Sequence, residues 1–233
     1  PRIGLLISGD ELVPPGTARQ PGAIWESNGT LLETMLRALG QSVTQRRVVA
    51  DQPDALRQAL LDLAHDCDVV VSTGGVSAGD TDWIRPLVAE LGAVDCWKLF
   101  LRPGRPFAFG SIGEGVPFFG LPGNPVAAAV TALQLLWPAL QVLEGQSEPE
   151  LFPRVMVELA DPLPRRPGRP ELARARLDTN AAGTLLARVD GSQASSRIGS
   201  LQQADLLLEL PAEAGPLESG TRLWAQLIRQ RIF

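Results

Sequence analysis

Apolar residues fall in short unbroken runs over the first part of the chain and in alternation over the last. Residues 3–7, IGLLI, and 68–73, DVVVST, have strand length and little polar interruption, as expected of strands covered on both faces. Between them the period changes. Leu31, Leu32, Met35, Leu36 and Leu39 recur at helical spacing, with Asn28 placed to cap the helix and Gly40 to stop it. Residues 42–49 read as a second strand, and Pro53 suits the first turn of a helix through DALRQALLDLA. A helix from about Asp80 to Leu91 follows, then strands near 94–101, 106–111 and 116–121, then a long helix from about Asn124 to Leu143. Strands alternating with helices predict an α/β domain: a doubly wound, mostly parallel sheet with helices on both faces. Ligands of such sheets sit beyond the carboxyl ends of the strands.

The pattern shifts after Gly145. SEPELFP resembles a linker, and beyond it short alternating stretches (154–160, 172–178, 184–189, 205–210, 222–228) are separated by Pro, Gly, Asp and Asn. These predict a small all-β domain, a barrel or a sandwich. The expected domains are 1–146 and 147–233.

Composition narrows the chemistry. Net charge is −5, which argues against nucleic acid as a partner, so any anionic ligand needs a local basic cluster. The one histidine, His65, is placed at a helix end, which leaves little scope for imidazole catalysis. Cys67 and Cys96 have no metal spacing and read as small apolar residues. No apolar run approaches the roughly 20 residues of a membrane helix, and a cytoplasmic location without membrane insertion is expected. Of 21 cationic side chains only Lys98 is a lysine, which on this count alone fits chance or a site needing a compact ammonium equally.

Four segments carry candidate chemistry. Ser72 to Asp82, STGGVSAGDTD, runs from a strand into glycines and a helix start. Gly74, Gly75 and Gly79 would let backbone approach a phosphate, Ser77 would add a hydroxyl donor, and Asp80 and Asp82 beside an anion imply a bridging Mg²⁺. KLFLRPGRP, 98–106, offers Lys98, Arg102 and Arg105 with no acid between Cys96 and Gly113. If 94–101 and its continuation are extended, Lys98, Phe100 and Arg102 share a face, the two cations about 13 Å apart. Pro122-Gly123-Asn124-Pro125 forms a rigid turn before the long helix. SGDEL, 8–12, puts Glu11 after the first strand, and Asp51 follows another, where a helix-cap role competes with a site role.

Taken in order, SGDEL, IWESN, ADQPDALR, STGGVSAGDTD, WKLFLRPGRPFAFG and FGLPGNPVAAAV resemble the molybdopterin molybdenumtransferase family, the gephyrin E-domain included, and PGRPELARARL and SQASSRIGSL extend the likeness into the β part. The resemblance implies an α/β domain shared with molybdopterin adenylyltransferases. It also implies insertion of molybdate into adenylylated molybdopterin with hydrolysis of the adenylate, Mg²⁺, and a homodimer. Glu11, Asp51, Asp82, Lys98, Arg102, Pro122 and Pro125 match the family's active-site positions, and Arg174 with Ser195 or Ser196 match positions in its last domain. The two domains that members carry ahead of the first strand have no counterpart here, so a fragment, inactive alone, is expected. Trp25 stands where Tyr is common, Ala175 replaces Gly, and Ala204-Asp205 replaces Asn-Gly. An adenylyltransferase of related fold and a non-catalytic interaction module are the alternatives.

Overall fold

The computed structural model describes residues 1–75, 83–189 and 191–229. It divides into two compact units: Pro1–Leu99 with Gly104–Pro149, and Phe100–Pro103 with Glu150–Phe233.

The first unit is built on a six-stranded sheet. Its strands are β1 (Ile3–Ser8), β4 (Val43–Val49), β5 (Val69–Thr73), β6 (Gly92–Trp97), β7 (Ala108–Ile112) and β8 (Val116–Leu121), in the order β4-β1-β5-β8-β7-β6. The first four in that order run parallel; β7 and β6 join antiparallel. Two-residue strands β2 (Leu12–Val13) and β3 (Ile24–Trp25) form a separate parallel ribbon. Alternation along the strands explains the unbroken apolar runs. Ile3, Leu5 and Ile7 face α1 (Asn28–Ala38), while Leu6 joins the core under α2 (Pro53–Asp66) and α3 (Ile84–Leu91). The chain leaves β1 for β4 on one side and then returns to β5 on the other. The switch in direction therefore falls between the carboxyl ends of β1 and β5, where open sheets bind ligands.

The long helix consists of α4 (Pro125–Thr131), a π-helical segment (Ala132–Leu136) and α5 (Trp137–Leu143). Length and composition would let these 19 residues cross a membrane, contrary to the expectation from apolar runs. Two-thirds of the stretch is buried, as befits a core helix. Ala128, Ala132, Leu136 and Leu140 share one core with Ile3 and Leu5 of β1 and Leu32 of α1.

The expected strand at 94–101 is shorter than predicted. β6 starts directly after α3 and ends at Trp97, because Lys98 takes φ 76°, which no extended strand contains. Its N–H still donates to Phe107 O (2.8 Å), and that of Leu99 to Arg105 O (2.9 Å), closing the β6–β7 connection. Lys98, Phe100 and Arg102 therefore do not line one strand face. Likewise Asn28 is not the cap of α1: the N-cap position is Ser27, and Asn28 is the first helical residue.

The α1 start is held by a pair that hydrophobic patterning does not signal. Glu26 is buried; its Oε1 accepts from Gly29 N–H (2.8 Å), and Oε2 pairs with Arg46 of β4. The Arg46 guanidinium occupies the space that a Cβ on Gly29 would need. Arg46→Ala is expected to lower stability by about 2–4 kcal/mol, because the carboxylate stays buried without its counter-charge. Urea unfolding would measure this, and a second change, Glu26→Gln, should restore most of the loss.

The second unit is a closed five-stranded barrel in the order β10-β11-β9-β13-β12. The strands are β9 (Arg154–Leu159), β10 (Glu171–Thr179), β11 (Leu185–Arg188), β12 (Leu206–Leu210) and β13 (Arg222–Leu227), with short α6 (Gly199–Gln202) before β12. All five predicted stretches are strands, and the barrel alternative is the correct one. Its interior is narrow: small Ala173, Ala175, Ala187 and Ala225 pack among Val157, Leu159, Leu206 and Leu208.

Candidate functional site

The carboxyl ends of β1, β5 and β8 meet. Gly74 (φ 89°) is packed so closely on β1 that an added Cβ would stand 2.4 Å from Ser8 O. A Cβ on Gly75 (φ 62°) would stand 3.2 Å from Ser8 Oγ and 2.6 Å from Ile84 Cγ1. A Cβ on Gly123 would touch Gly74 Cα at 3.5 Å. Gly74 and Gly75 cannot carry side chains here, and bare backbone at a strand end suits close approach of an anion. The Ser8 hydroxyl, buried beside Gly75, has no hydrogen-bond partner of good geometry among the described residues. Pro122 is buried, Asn124 is the N-cap position of α4, and Pro125 opens that helix. Ser77, Gly79, Asp80 and Asp82 lie outside the described residues.

An acidic group borders the same edge. The Asp51 N–H donates to Asp10 Oδ1 (2.9 Å), so Asp10 fixes the chain where β4 ends. Gln52, not Asp51, is the N-cap position of α2. Burial pushes the Asp51 carboxyl above its ordinary range; the nearby Ser8 hydroxyl acts in the opposite sense, and the charges of Asp10 and Glu11 add to the rise. Glu11 itself is exposed.

A carboxyl whose folded pKa is raised disfavours the fold once it is ionised, so stability is lost as pH rises through that value. Asp51→Asn is therefore expected to raise the melting temperature at pH 7, with an advantage that shrinks as pH falls into the carboxylate range. Thermal unfolding across pH 4–8 reads this directly; a lower melting temperature at pH 7 would contradict it.

Lys98 and Arg105 are exposed on the β6–β7 connection of the first unit. Arg102 belongs to the second. There its N–H donates to Pro170 O (3.0 Å), its carbonyl accepts from Leu172 N–H (2.8 Å), and its guanidinium faces Glu171 at 3.7 Å.

Arg174, also in the second unit, is almost fully buried. Its Nε donates to Ser200 Oγ (2.9 Å), and its backbone is bracketed by Gln193, whose Oε1 accepts from Arg174 N–H (2.9 Å) while Nε2 donates to Arg174 O (3.1 Å). Burial pulls this guanidinium below its usual value, opposed by Glu171. A cleft of about 630 Å³ opens here, lined by Arg174, Arg176, Arg188, Arg197, Ser196 and Ser200 among others. Of the two serines matched by resemblance, Ser196 lines it; no carboxylate does among the described residues. Arg188 is paired with Asp161 (2.5 Å). Sequence reasoning missed Arg176, Arg188 and Arg197, since their convergence depends on barrel closure.

Comparison with known proteins supplies the family. Residues 4–142 match the model described as a probable molybdopterin binding domain, and residues 156–227 match the MoeA C-terminal region (domain IV). The chain belongs to the molybdopterin molybdenumtransferase family. It is 31% identical over 219 residues to a molybdopterin molybdenumtransferase of Haemophilus influenzae, spanning 94% of this chain and 54% of that protein. It is 35% identical over 214 residues to the molybdenum cofactor synthesis protein cinnamon of Drosophila melanogaster, spanning 91% of this chain and 35% of that protein. Among solved structures, the molybdopterin biosynthesis moeA protein from Pyrococcus horikosii superposes with a TM-score of 0.82 at 26% identity, over 99% of this chain and 55% of that one. The chain thus spans about half the length, or less, of these three proteins.

Proposed function

We propose that this chain is the core of an enzyme that inserts molybdate into adenylylated molybdopterin and releases the adenylate. The observation that carries the proposal is the meeting of Ser8, Gly74, Gly75 and Gly123 at one sheet edge, with side chains sterically excluded at Gly74 and Gly75. Gly74, Gly75, Gly123 and Asn124 hold the phosphate of the pterin, with Pro122 and Pro125 fixing the second turn; Ser77, as a hydroxyl donor, and Gly79 are assigned to the same ligand. The Ser8 hydroxyl stands between the Asp51 carboxyl and Gly75 at the rim of the same site. Lys98 and Arg105 attract molybdate, a dianion, and offset charge as it meets the dithiolate; Arg102, assigned to the same task by the resemblance, is carried by the second unit. In the barrel unit, Arg174, Ser195 and Ser196 are candidate donors to an anionic ligand in their own right. Asp51, with its raised carboxyl, accepts a proton from the hydrolytic water, and Glu11 helps orient that water.

Among the described residues no three acids, cysteines or histidines are arranged to hold a metal ion. The assignment of Mg²⁺ rests on Asp80 and Asp82. A homodimer and a cytoplasmic location complete the proposal.

The test is incubation with adenylylated molybdopterin and molybdate in Mg²⁺ buffer, following release of adenosine monophosphate and appearance of molybdenum cofactor, alongside calorimetric titration with molybdopterin. Binding with molybdate-dependent release supports the proposal. Formation of adenylyl-molybdopterin from ATP instead would make the chain an adenylyltransferase, and absence of pterin binding would overturn the site.

A further inference from the structure

We infer that Asn28, outside the set of residues matched above, is a positioning residue that fixes the separation of the two ligand-facing turns; the inference rests on the functional reading just given. Parallel pairing of β5 with β8 stops at Thr73 and Leu121. Beyond that point the ladder no longer holds the glycine turn after β5 against the Pro122–Pro125 turn after β8. Asn28, at the start of α1 and buried, spans the gap. Its Nδ2 carries two hydrogens and donates both ways, to Thr73 Oγ1 (2.8 Å) and to Gly123 O (2.7 Å). Thr73 Oγ1 in turn donates to Pro122 O (3.1 Å). One amide and one hydroxyl therefore tie the end of β5 to two successive carbonyls of the opposite turn, immediately before Gly74 and Gly75.

The chemistry demands an amide at this place. Both partners of Nδ2 act as acceptors, so a carboxylate of the same shape would lack the donors and set charge against the Gly123 carbonyl. A hydroxyl at position 28 would have one hydrogen for two acceptors. The hydrophobic core beneath is complete without this side chain. Its loss should therefore loosen the cradle more than the fold.

The experiment is calorimetric titration of this chain with molybdopterin, well below the melting temperature, for the wild type, Asn28→Asp, Thr73→Val and Thr73→Ser. Asn28→Asp and Thr73→Val should each weaken binding by about tenfold, the loss expected from one or two buried hydrogen bonds. Thr73→Ser keeps the hydroxyl and should bind as the wild type does, with circular dichroism unchanged throughout. Wild-type affinity in a folded Asn28→Asp protein overturns the inference. If that variant does not fold, wild-type affinity in Thr73→Val overturns it equally. A wild-type chain that binds no molybdopterin overturns the functional reading first, and this inference with it.

Discussion

Gly74→Ala is expected to abolish pterin binding and to lower stability by about 2–4 kcal/mol. Two effects add at this position. Its φ of 89° is costly for any residue with a Cβ, by roughly 1–2 kcal/mol. The new methyl would also stand 2.4 Å from Ser8 O, a backbone atom at the end of a central strand that has nowhere to retreat. Either β1 or the glycine turn must move, and both border the cradle. Gly16→Ala is the control: its φ is 87°, but no atom lies within 4 Å of the added Cβ. That change should cost about 1 kcal/mol and leave binding intact. Denaturant unfolding and pterin titration of the two variants separate strain from collision. Equal losses in both would show that backbone conformation alone sets the cost.

Lys98 gives the second large effect, because its backbone and its ammonium are under opposite demands. The positive φ favours glycine, while the proposed reaction needs the cation. Lys98→Gly should stabilise the fold by up to about 1 kcal/mol and yet, placed in a full-length form, reduce molybdate-dependent turnover by about a hundredfold or more. Lys98→Ala should lose turnover to the same extent without the gain in stability. Melting temperature and turnover measured on both variants decide this. A Lys98→Gly protein that retains turnover would remove the ammonium from the mechanism.

What is legible in the sequence follows from the physics of each element. The runs around Leu5 and Val70 are readable because strands covered on both faces need apolar residues at every position. The barrel strands are readable because one face is solvated and inward residues such as Val157 and Leu159 alternate with more polar neighbours. Boundaries set by single backbone angles are not. Nothing in the letters WKLF announces that Lys98 turns left-handed, so the apolar pattern carries the strand four residues too far. The β2–β3 ribbon is too short to show a period. The glycines of the cradle stand out as a type, and their collision with Ser8 needs coordinates. Polar contacts between distant segments are the hardest to foresee. Asn28 reads as a cap because Asn often is one, whereas its amide reaches residues 45 and 95 positions away. Glu26 with Arg46 likewise gives no periodic signal.

The four residues Phe100–Pro103 belong to the barrel unit although they interrupt the other one in sequence. Arg102 makes backbone hydrogen bonds with Pro170 and Leu172, and Leu101 O accepts from Arg169 Nη1 (3.1 Å). A gene spliced at the linker would strip the barrel of this peptide and leave its complement stranded in the donor.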